Sequence, residues 1–285
     1  YDLGKFVVAG KKVCAALLNH DFSATNIRVL IMNDDYSSLF HTKVVLQSDS
    51  TMHVTWGESE ETLSPGTKLS VSPGDDRLKE GRMTITLEDP QKEIRILSTK
   101  RAQGTPSYFG SFELSEESDG LLLINELDVE DYLTRVVPSE MPSNYELEAL
   151  KAQAVAARTY TLYKIQTGGN HGDTADICTD STCCQAYISE EKARNNWGEQ
   201  ADEYEQKIEQ AVTATDGQAI LYGGVPILAV FHSSSAGVTR PAGEVWQNDL
   251  PYLQAVESPE PGETIPNYYS RVEFTAEEFR KAFTA

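Results

Sequence analysis

Short apolar runs separated by Gly, Pro, Asp and Ser fill the chain up to about residue 126. Ile27-Arg28-Val29-Leu30-Ile31-Met32 reads as a buried strand, since a nearly continuous apolar run between turn residues suits a strand covered on both faces. Further short segments follow at 43–46, 52–56, 68–71, 83–87 and 93–97, then 108–110 and 120–125. Such spacing and punctuation predict an antiparallel β region. Lys5 to Leu18 fits a short amphipathic strand or a helix equally well.

At Asp128 the period changes. Asp128-Val129-Glu130-Asp131 looks like a helix N-cap with acidic first-turn residues, and this helix should stop before Pro138. Ser143-Asn144-Tyr145-Glu146 has the form of a capping box. It should open a long helix with Leu147, Leu150, Ala154 and Ala157 at core spacing, closed by Gly168-Gly169. A polar, Cys-rich loop comes next, then a helical acidic stretch over 195–215. Strands return at 218–222 and 225–231, and 274–283 reads as a short helix cut off where the sequence stops. The pattern predicts an α+β fold in which a helical segment with a long central helix is inserted between antiparallel β regions. Residues 1–25 form a lead segment. Residues 26–285 read as one domain, β-rich to 126 and helical, with the groove, from 127.

Charge narrows the partners. With 24 Lys and Arg against 44 Asp and Glu, the net charge is −20. That excludes unaided nucleic-acid binding, which needs cations to displace counterions, and charge-driven binding to an anionic membrane. A neutral or weakly charged polymer suits it better. No apolar run is long enough to span a bilayer. The opening Tyr1-Asp2-Leu3 reads as a chain whose targeting and anchoring segment lies upstream. Three of the four cysteines, Cys178, Cys183 and Cys184, fall together while Cys14 stands alone, which is not a disulfide framework. Adjacent cysteines seldom bridge each other.

The segment between the two helices reads Val136-Val137-Pro138-Ser139-Glu140-Met141-Pro142. The long helix reads Glu148-Ala149-Leu150-Lys151-Ala152-Gln153-Ala154-Val155-Ala156-Ala157-Arg158-Thr159-Tyr160. Downstream come Asp176-Ile177-Cys178, Cys184-Gln185-Ala186-Tyr187, Ala211-Val212 with Thr215-Asp216-Gly217, Phe231-His232-Ser233-Ser234-Ser235-Ala236-Gly237, and Pro251-Tyr252-Leu253. Together these resemble the stage II sporulation protein D family from about residue 26 to the end. The sequence departs from that family at Phe231, where Tyr is usual, and at Ala236, where Gly is usual. Members also continue beyond a Glu-Glu-Phe-like helix into a further β segment.

The resemblance implies lytic transglycosylase activity on peptidoglycan glycan strands stripped of stem peptides by a partner cell-wall amidase. It also implies an extracytoplasmic location with a membrane anchor outside this chain. Most glycosidases use two carboxylates, whereas a lytic transglycosylase needs one. The motif offers Glu140, with Met141 and the prolines to keep water from it; the plainer reading is a Glu near a helix start. The resemblance puts Lys151 and Arg158, seven apart on one helical stripe, in the glycan groove. Gln153, Tyr160, His232, Ser233, Ser234 and Tyr252 are weaker groove candidates. A cation against Glu140 would spoil it as an acid, so Lys151 and Arg158 should touch sugar instead.

His171, Cys178, Cys183 and Cys184 supply the four N and S donors of a closed, structural tetrahedral zinc site. Some family members bind zinc in this loop through two His and two Cys. Here Cys183 stands at a His position and His171 is offset by one residue. Buried reduced thiols are the plainer reading. Two other functions stay open: a glycan-binding activator of an amidase that does not cut, and a hydrolase with Glu146, Glu148 or Asp173 as second carboxylate.

Overall fold

The computed structural model describes residues 3–9, 12–18, 26–101, 104–172, 174–246, 248–260 and 271–282, with the backbone alone for 3–18. Cys14 and Asp173 therefore lie outside the described side chains. Two compact units divide at Ala229/Val230, whereas the sequence reading ran one domain from 26 to 285.

The first unit opens with a hairpin, β1 (Leu3–Ala9) and β2 (Lys12–Leu18), so the undecided stretch is strand. Next come β3 (Asn26–Leu30), β4 (Phe40–His41), β5 (Val44–Ser48), β6 (Met52–Trp56), β7 (Ser59–Leu63), β8 (Lys68–Val71), β9 (Met83–Leu87), β10 (Ile94–Ile96), β11 (Ser107–Tyr108), β12 (Ser111–Glu117) and β13 (Gly120–Asp128). The helical part holds α1 (Val129–Glu140), α2 (Leu147–Thr167), the short strand β14 (Ile177–Cys178), α3 (Glu190–Trp197) and α4 (Ala201–Thr213). A small hairpin, β15 (Leu221–Tyr222) and β16 (Val225–Pro226), follows. The fold is α+β.

The main sheet runs in the order β14-β3-β13-β12-β9-β6-β7, with β4 added beside β13; a second sheet runs β11-β10-β5-β8. Pairing is antiparallel except at β14, which lies parallel to β3 with Ile177 opposite Val29 and Cys178 opposite Leu30. The two-residue side-chain period of β3 and β13 sorts their apolar residues onto two faces. Ile27, Val29, Leu121 and Leu123 enter the main core with Tyr132, Val136 and Val137 of α1, Leu150 and Ala157 of α2, and Ile208 and Val212 of α4. Leu30, Leu122 and Ile124 face the other way, into a small second core with Met32, Ala175 and Cys178. A strand buried on both faces needs apolar residues at every position, which explains the Leu-Leu-Leu-Ile run of β13.

Strand β7, Ser-Glu-Glu-Thr-Leu, escapes sequence reading because it is a polar edge strand with its first four residues exposed. The tight Gly57 turn (φ 52°) pairs it with β6. The acidic helical stretch starts at Glu190 and breaks at Gly198 (φ 58°) into α3 and α4. Only two residues of each late strand are paired.

Two expected helix boundaries are corrected. Helix α1 does not stop before Pro138; it carries that residue inside its last turn and ends at Glu140. There the missing amide costs one bond, and Met141 N–H still closes on the Val137 carbonyl at 2.9 Å. The expected Ser143–Glu146 capping box is not made. Ser143 is buried with its hydroxyl unpaired among the described residues, and Glu146 caps α2 without a side-chain bond. Asp128 does cap α1, its carboxylate accepting from the Glu130 amide at 2.7 Å and the Asp131 amide at 3.4 Å.

The second unit contains α5 (Ala242–Val245) and α6 (Ala276–Ala282).

Candidate active site and metal centre

Glu140 is the last residue of α1 and is half-buried. Its position follows from the buried face of that helix, where Tyr132, Leu133, Val136 and Val137 lock the rotation about the axis. The Glu140 carboxylate accepts the Ala186 amide at 2.8 Å. The neighbouring Ser139 hydroxyl lies 2.7 Å from the Ala186 carbonyl and 2.7 Å from its own helix carbonyl at Val136. Both backbone groups of Ala186 are thus held by consecutive residues of α1. Next along the chain, the Tyr187 ring packs between Tyr108 (centroids 4.9 Å apart) and Tyr132 (5.9 Å). Burial pushes the Tyr132 and Tyr187 hydroxyls well above the ordinary phenol range.

The loop after α2 turns sharply at Gly168 (φ 72°) and Gly169 (φ 53°). A Cβ at Gly169 would sit 2.3 Å from the Asp176 carbonyl, so the chain closes tightly here. Asp176 in turn accepts the Arg28 amide of β3 at 2.8 Å. This brings His171, Cys178, Cys183 and Cys184 together, with one donor atom from each within 4.8 Å of all the others. The Cys184 sulfur lies 3.8 Å from that of Cys178 and 3.7 Å from that of Cys183, and His171 Nε2 is 3.9 Å from Cys183 Sγ. A tetrahedron with metal–sulfur bonds of about 2.3 Å has S···S edges of about 3.8 Å, so the donor set fits a four-coordinate ion. The hydrogen bond from the Cys178 thiol holds Cys184 below the ordinary thiol range. The same bond, with burial, pushes Cys178 up.

The groove candidates divide. Lys151 pairs with Glu148 at 2.7 Å on the exposed side of α2. Arg158 is corrected: the structure removes it from any sugar-facing surface. Its side chain is 2% exposed. Nε and Nη2 grip both Glu130 oxygens at 2.7 and 2.6 Å, Nη2 also reaches the Val212 carbonyl, and Nη1 reaches Thr215 Oγ1 and the Gln218 carbonyl. A guanidinium has five N–H donors, and all of them are used inside the protein. A stripe on a helix follows from spacing, but whether it meets solvent depends on what packs there, and here α4 does. Gln153 is likewise buried rather than groove-lining, 7% exposed, with Nε2 unpaired among the described residues. Tyr160 is half-buried at the cysteine cluster, its hydroxyl 3.4 Å from the Cys183 carbonyl. Of the second-carboxylate candidates, Glu148 pairs with Lys151 at 2.7 Å, and Glu146 is the exposed N-cap residue of α2 with no cap bond from its carboxylate.

His232, Ser233, Ser234 and Tyr252 belong to the second unit, where His232 and Ser233 are exposed. Sequence reasoning missed Glu260, which fixes Ser234 and its neighbour Ser235. It accepts from the Ser234 hydroxyl at 2.6 Å, the Ser235 amide at 2.6 Å and the Ser235 hydroxyl at 2.9 Å. Those bonds hold its carboxyl below the usual range. No local motif marks a Glu whose partners lie 25 residues away. Ser139 and Gln185 were also missed as working residues. The signal for them was their place beside Glu140 and Cys184 in the motifs that carry the family resemblance.

Residues 117–222 match the family model described as Stage II sporulation protein, SpoIID. They span both α1 with Glu140 and the complete four-donor loop. This segment belongs to the SpoIID family. The chain is 35% identical over 159 residues to stage II sporulation protein D of Bacillus subtilis (strain 168), covering 55% of this chain and 46% of that protein. It is 37% identical over 149 residues to an uncharacterized protein of Brachyspira hyodysenteriae, covering 52% and 37%. It is 37% identical over 123 residues to an amidase enhancer of Bacillus subtilis, covering 43% and 14%. The chain thus spans about half the length of the sporulation relatives it matches. The SpoIID segment begins within β12 and ends at β15, so the region 26–116 that completes the main sheet lies outside it.

Proposed function

We propose that this chain acts on the bacterial cell wall as a peptidoglycan lytic transglycosylase, with Glu140 as its general acid and base. The observation that carries the reading is the setting of Glu140. It is a half-exposed carboxylate at a helix end, oriented by one backbone amide, in the SpoIID segment. The relatives named stage II sporulation protein D support reading this activity as part of sporulation.

The chemistry needs one carboxyl group. Protonated Glu140 gives its proton to the oxygen bridging N-acetylmuramic acid C1 and N-acetylglucosamine, and the C1–O bond breaks. The carboxylate then takes the proton of the muramic C6 hydroxyl as that oxygen bonds to C1. The product is a 1,6-anhydro-muramyl end, no water is consumed, and Glu140 is protonated again. Hydrolysis would instead need a second acid across the bond.

The cysteine-rich loop is read as a structural zinc site of His171, Cys178, Cys183 and Cys184. The metal would supply a fixed cross-link and no chemistry, since four protein donors leave no open position. The full-length protein is read as extracytoplasmic and membrane-anchored from outside this segment. Among the described residues no helix is long and apolar enough to cross a membrane.

A second reading has support from the amidase-enhancer relative. In it the chain grips glycan and activates a cell-wall amidase without cutting. One experiment separates the two: mass spectrometry of denuded glycan strands after incubation. Anhydro-muramyl ends support the transglycosylase, new reducing ends mean a hydrolase, and intact strands that nevertheless bind mean the activator. Glu140→Gln should lower cleavage about 10² to 10⁴-fold with the fold intact, and wild-type turnover by that variant refutes the assignment.

A further inference from the structure

The four residues Cys184 to Tyr187 form a strap in which each is fixed by a different part of the first unit. Cys184 donates its amide to the Asp180 carbonyl at 2.8 Å, and its sulfur accepts the Cys178 amide at 3.4 Å. Gln185, 4% exposed, is held by α2: its Nε2 donates to the Ala157 carbonyl at 3.3 Å and its Oε1 accepts the Thr161 hydroxyl at 3.2 Å. Ala186 is held by α1 through Ser139 and Glu140. Tyr187 is held by the rings of Tyr108 and Tyr132.

Only two peptide bonds separate a sulfur of the donor cluster from the amide that orients Glu140. Consecutive Cα atoms are about 3.8 Å apart at fixed length, so a shift of Cys184 must be absorbed within one residue or delivered to Ala186. Gln185 is the residue that could absorb it, and both polar ends of its side chain are tied to α2. Ser139 sets the other boundary. Its hydroxyl holds the Ala186 carbonyl, which belongs to the peptide group after the one that carries the amide, so the two peptide groups flanking the Ala186 Cα are both tied to α1 and rotation about that Cα is restricted.

We propose that Ser139 and Gln185 are positioning residues that carry the geometry of the His171–Cys184 cluster to the Glu140 carboxylate. The cluster then works as the fixed end of a strap whose free end aims the acid. This rests on the transglycosylase reading for its kinetic consequence. The clamp itself is a structural statement and can be tested separately.

Ser139→Ala should speed hydrogen exchange of the Ala186 amide at least tenfold. It should lower kcat on denuded glycan about 10- to 100-fold, the scale of an ångström-sized misplacement, with KM changed less than twofold. Ser139→Thr keeps the hydroxyl and should restore kcat to within about threefold of wild type. Thr161→Val removes the hold on Gln185 from the opposite side and should lower kcat with KM unchanged. It also decides the matter if Ser139→Ala does not fold. A wild-type kcat in Ser139→Ala or Thr161→Val, or equal losses from Ser139→Ala and Ser139→Thr, would overturn the proposal. If the wild-type protein produces no anhydro ends, the functional reading fails, and exchange at Ala186 still decides the clamp: unchanged exchange in Ser139→Ala overturns it.

Discussion

Arg158 illustrates how much one side chain can be asked to hold. Its guanidinium joins α1 through Glu130 to the end of α4 through Val212 and to the turn after it through Thr215 and Gln218. Arg158→Met keeps much of the volume and removes every donor, leaving Glu130 and two carbonyls without this partner. Breaking a fully buried pair from one side typically costs about 3–5 kcal/mol; with the Glu130 side chain 33% exposed and so partly hydrated, the loss here should be about 2–3 kcal/mol. Equilibrium urea unfolding should show a loss of unfolding free energy of that size, read as a lower midpoint at unchanged m, with glycan affinity per folded molecule unchanged. A loss of affinity without loss of stability would return Arg158 to the groove. His41 gives the pH counterpart. It is 6% exposed, and burial lowers its pKa, while its Nε2 lies 2.8 Å from the Ile31 carbonyl. The unfolded chain takes up this proton near pH 6.5, the folded one only at lower pH. The stability that neutral His41 contributes is thus complete above about pH 6.5 and declines as pH falls below it. His41→Gln, which can still donate to Ile31, should flatten that part of the stability profile between pH 7.5 and 5.5 in urea titrations.

At the scale of elements, helix ends decide the geometry around Glu140. The N-terminus of α1 was legible because Asp128 caps by a local rule, and Asp128→Ala should cost about 1 kcal/mol by thermal unfolding. Its C-terminus was not legible. A proline ends a helix only if the chain has no other use for the last turn, and here that turn carries Ser139 and Glu140 onto Ala186. The Ser143–Glu146 box satisfied the local pattern as well as Asp128 did, yet α2 begins only at Leu147 with Glu146 at the N-cap position, which leaves Ser143 three residues outside the cap. Gly169 belongs to the same scale. With φ 53° and only 2.3 Å between a would-be Cβ and the Asp176 carbonyl, Gly169→Ala should open the loop after α2. The check is thiol reactivity: Cys178 should become modified faster than in the wild type, and an unchanged rate would show that the loop tolerates the methyl group.

For the whole molecule, the main sheet recruits its own site. Strand β14 adds Cys178 to the edge beside β3, so the donor cluster is anchored in the second core and not in a free loop. If zinc occupies it, protein purified without chelator should contain about one equivalent by elemental analysis, and Cys184→Ser should lose it. Ligand protonation competes with the metal, so zinc should leave more readily at pH 5 than at pH 7.5. Less than about a tenth of an equivalent, with freely titrating thiols, would leave the cluster as reduced cysteines.

The sequence alone determined what short-range rules govern. Strands such as Met52–Trp56, Lys68–Val71 and Met83–Leu87 were legible to the residue because alternating burial needs only the next neighbour. The donors His171, Cys178, Cys183 and Cys184 could be named together because their chemistry and spacing are local. The tertiary structure alone decided which charged residues meet water and which carboxylates share partners. Arg158 and Lys151 sit on one helical stripe, and only the packing of α4 buries the first while leaving the second at the surface. The hold of Ala186 on Glu140 joins residues 46 apart. No local pattern encodes such a contact, since it exists only once two helices, an edge strand and a loop have closed on a common core.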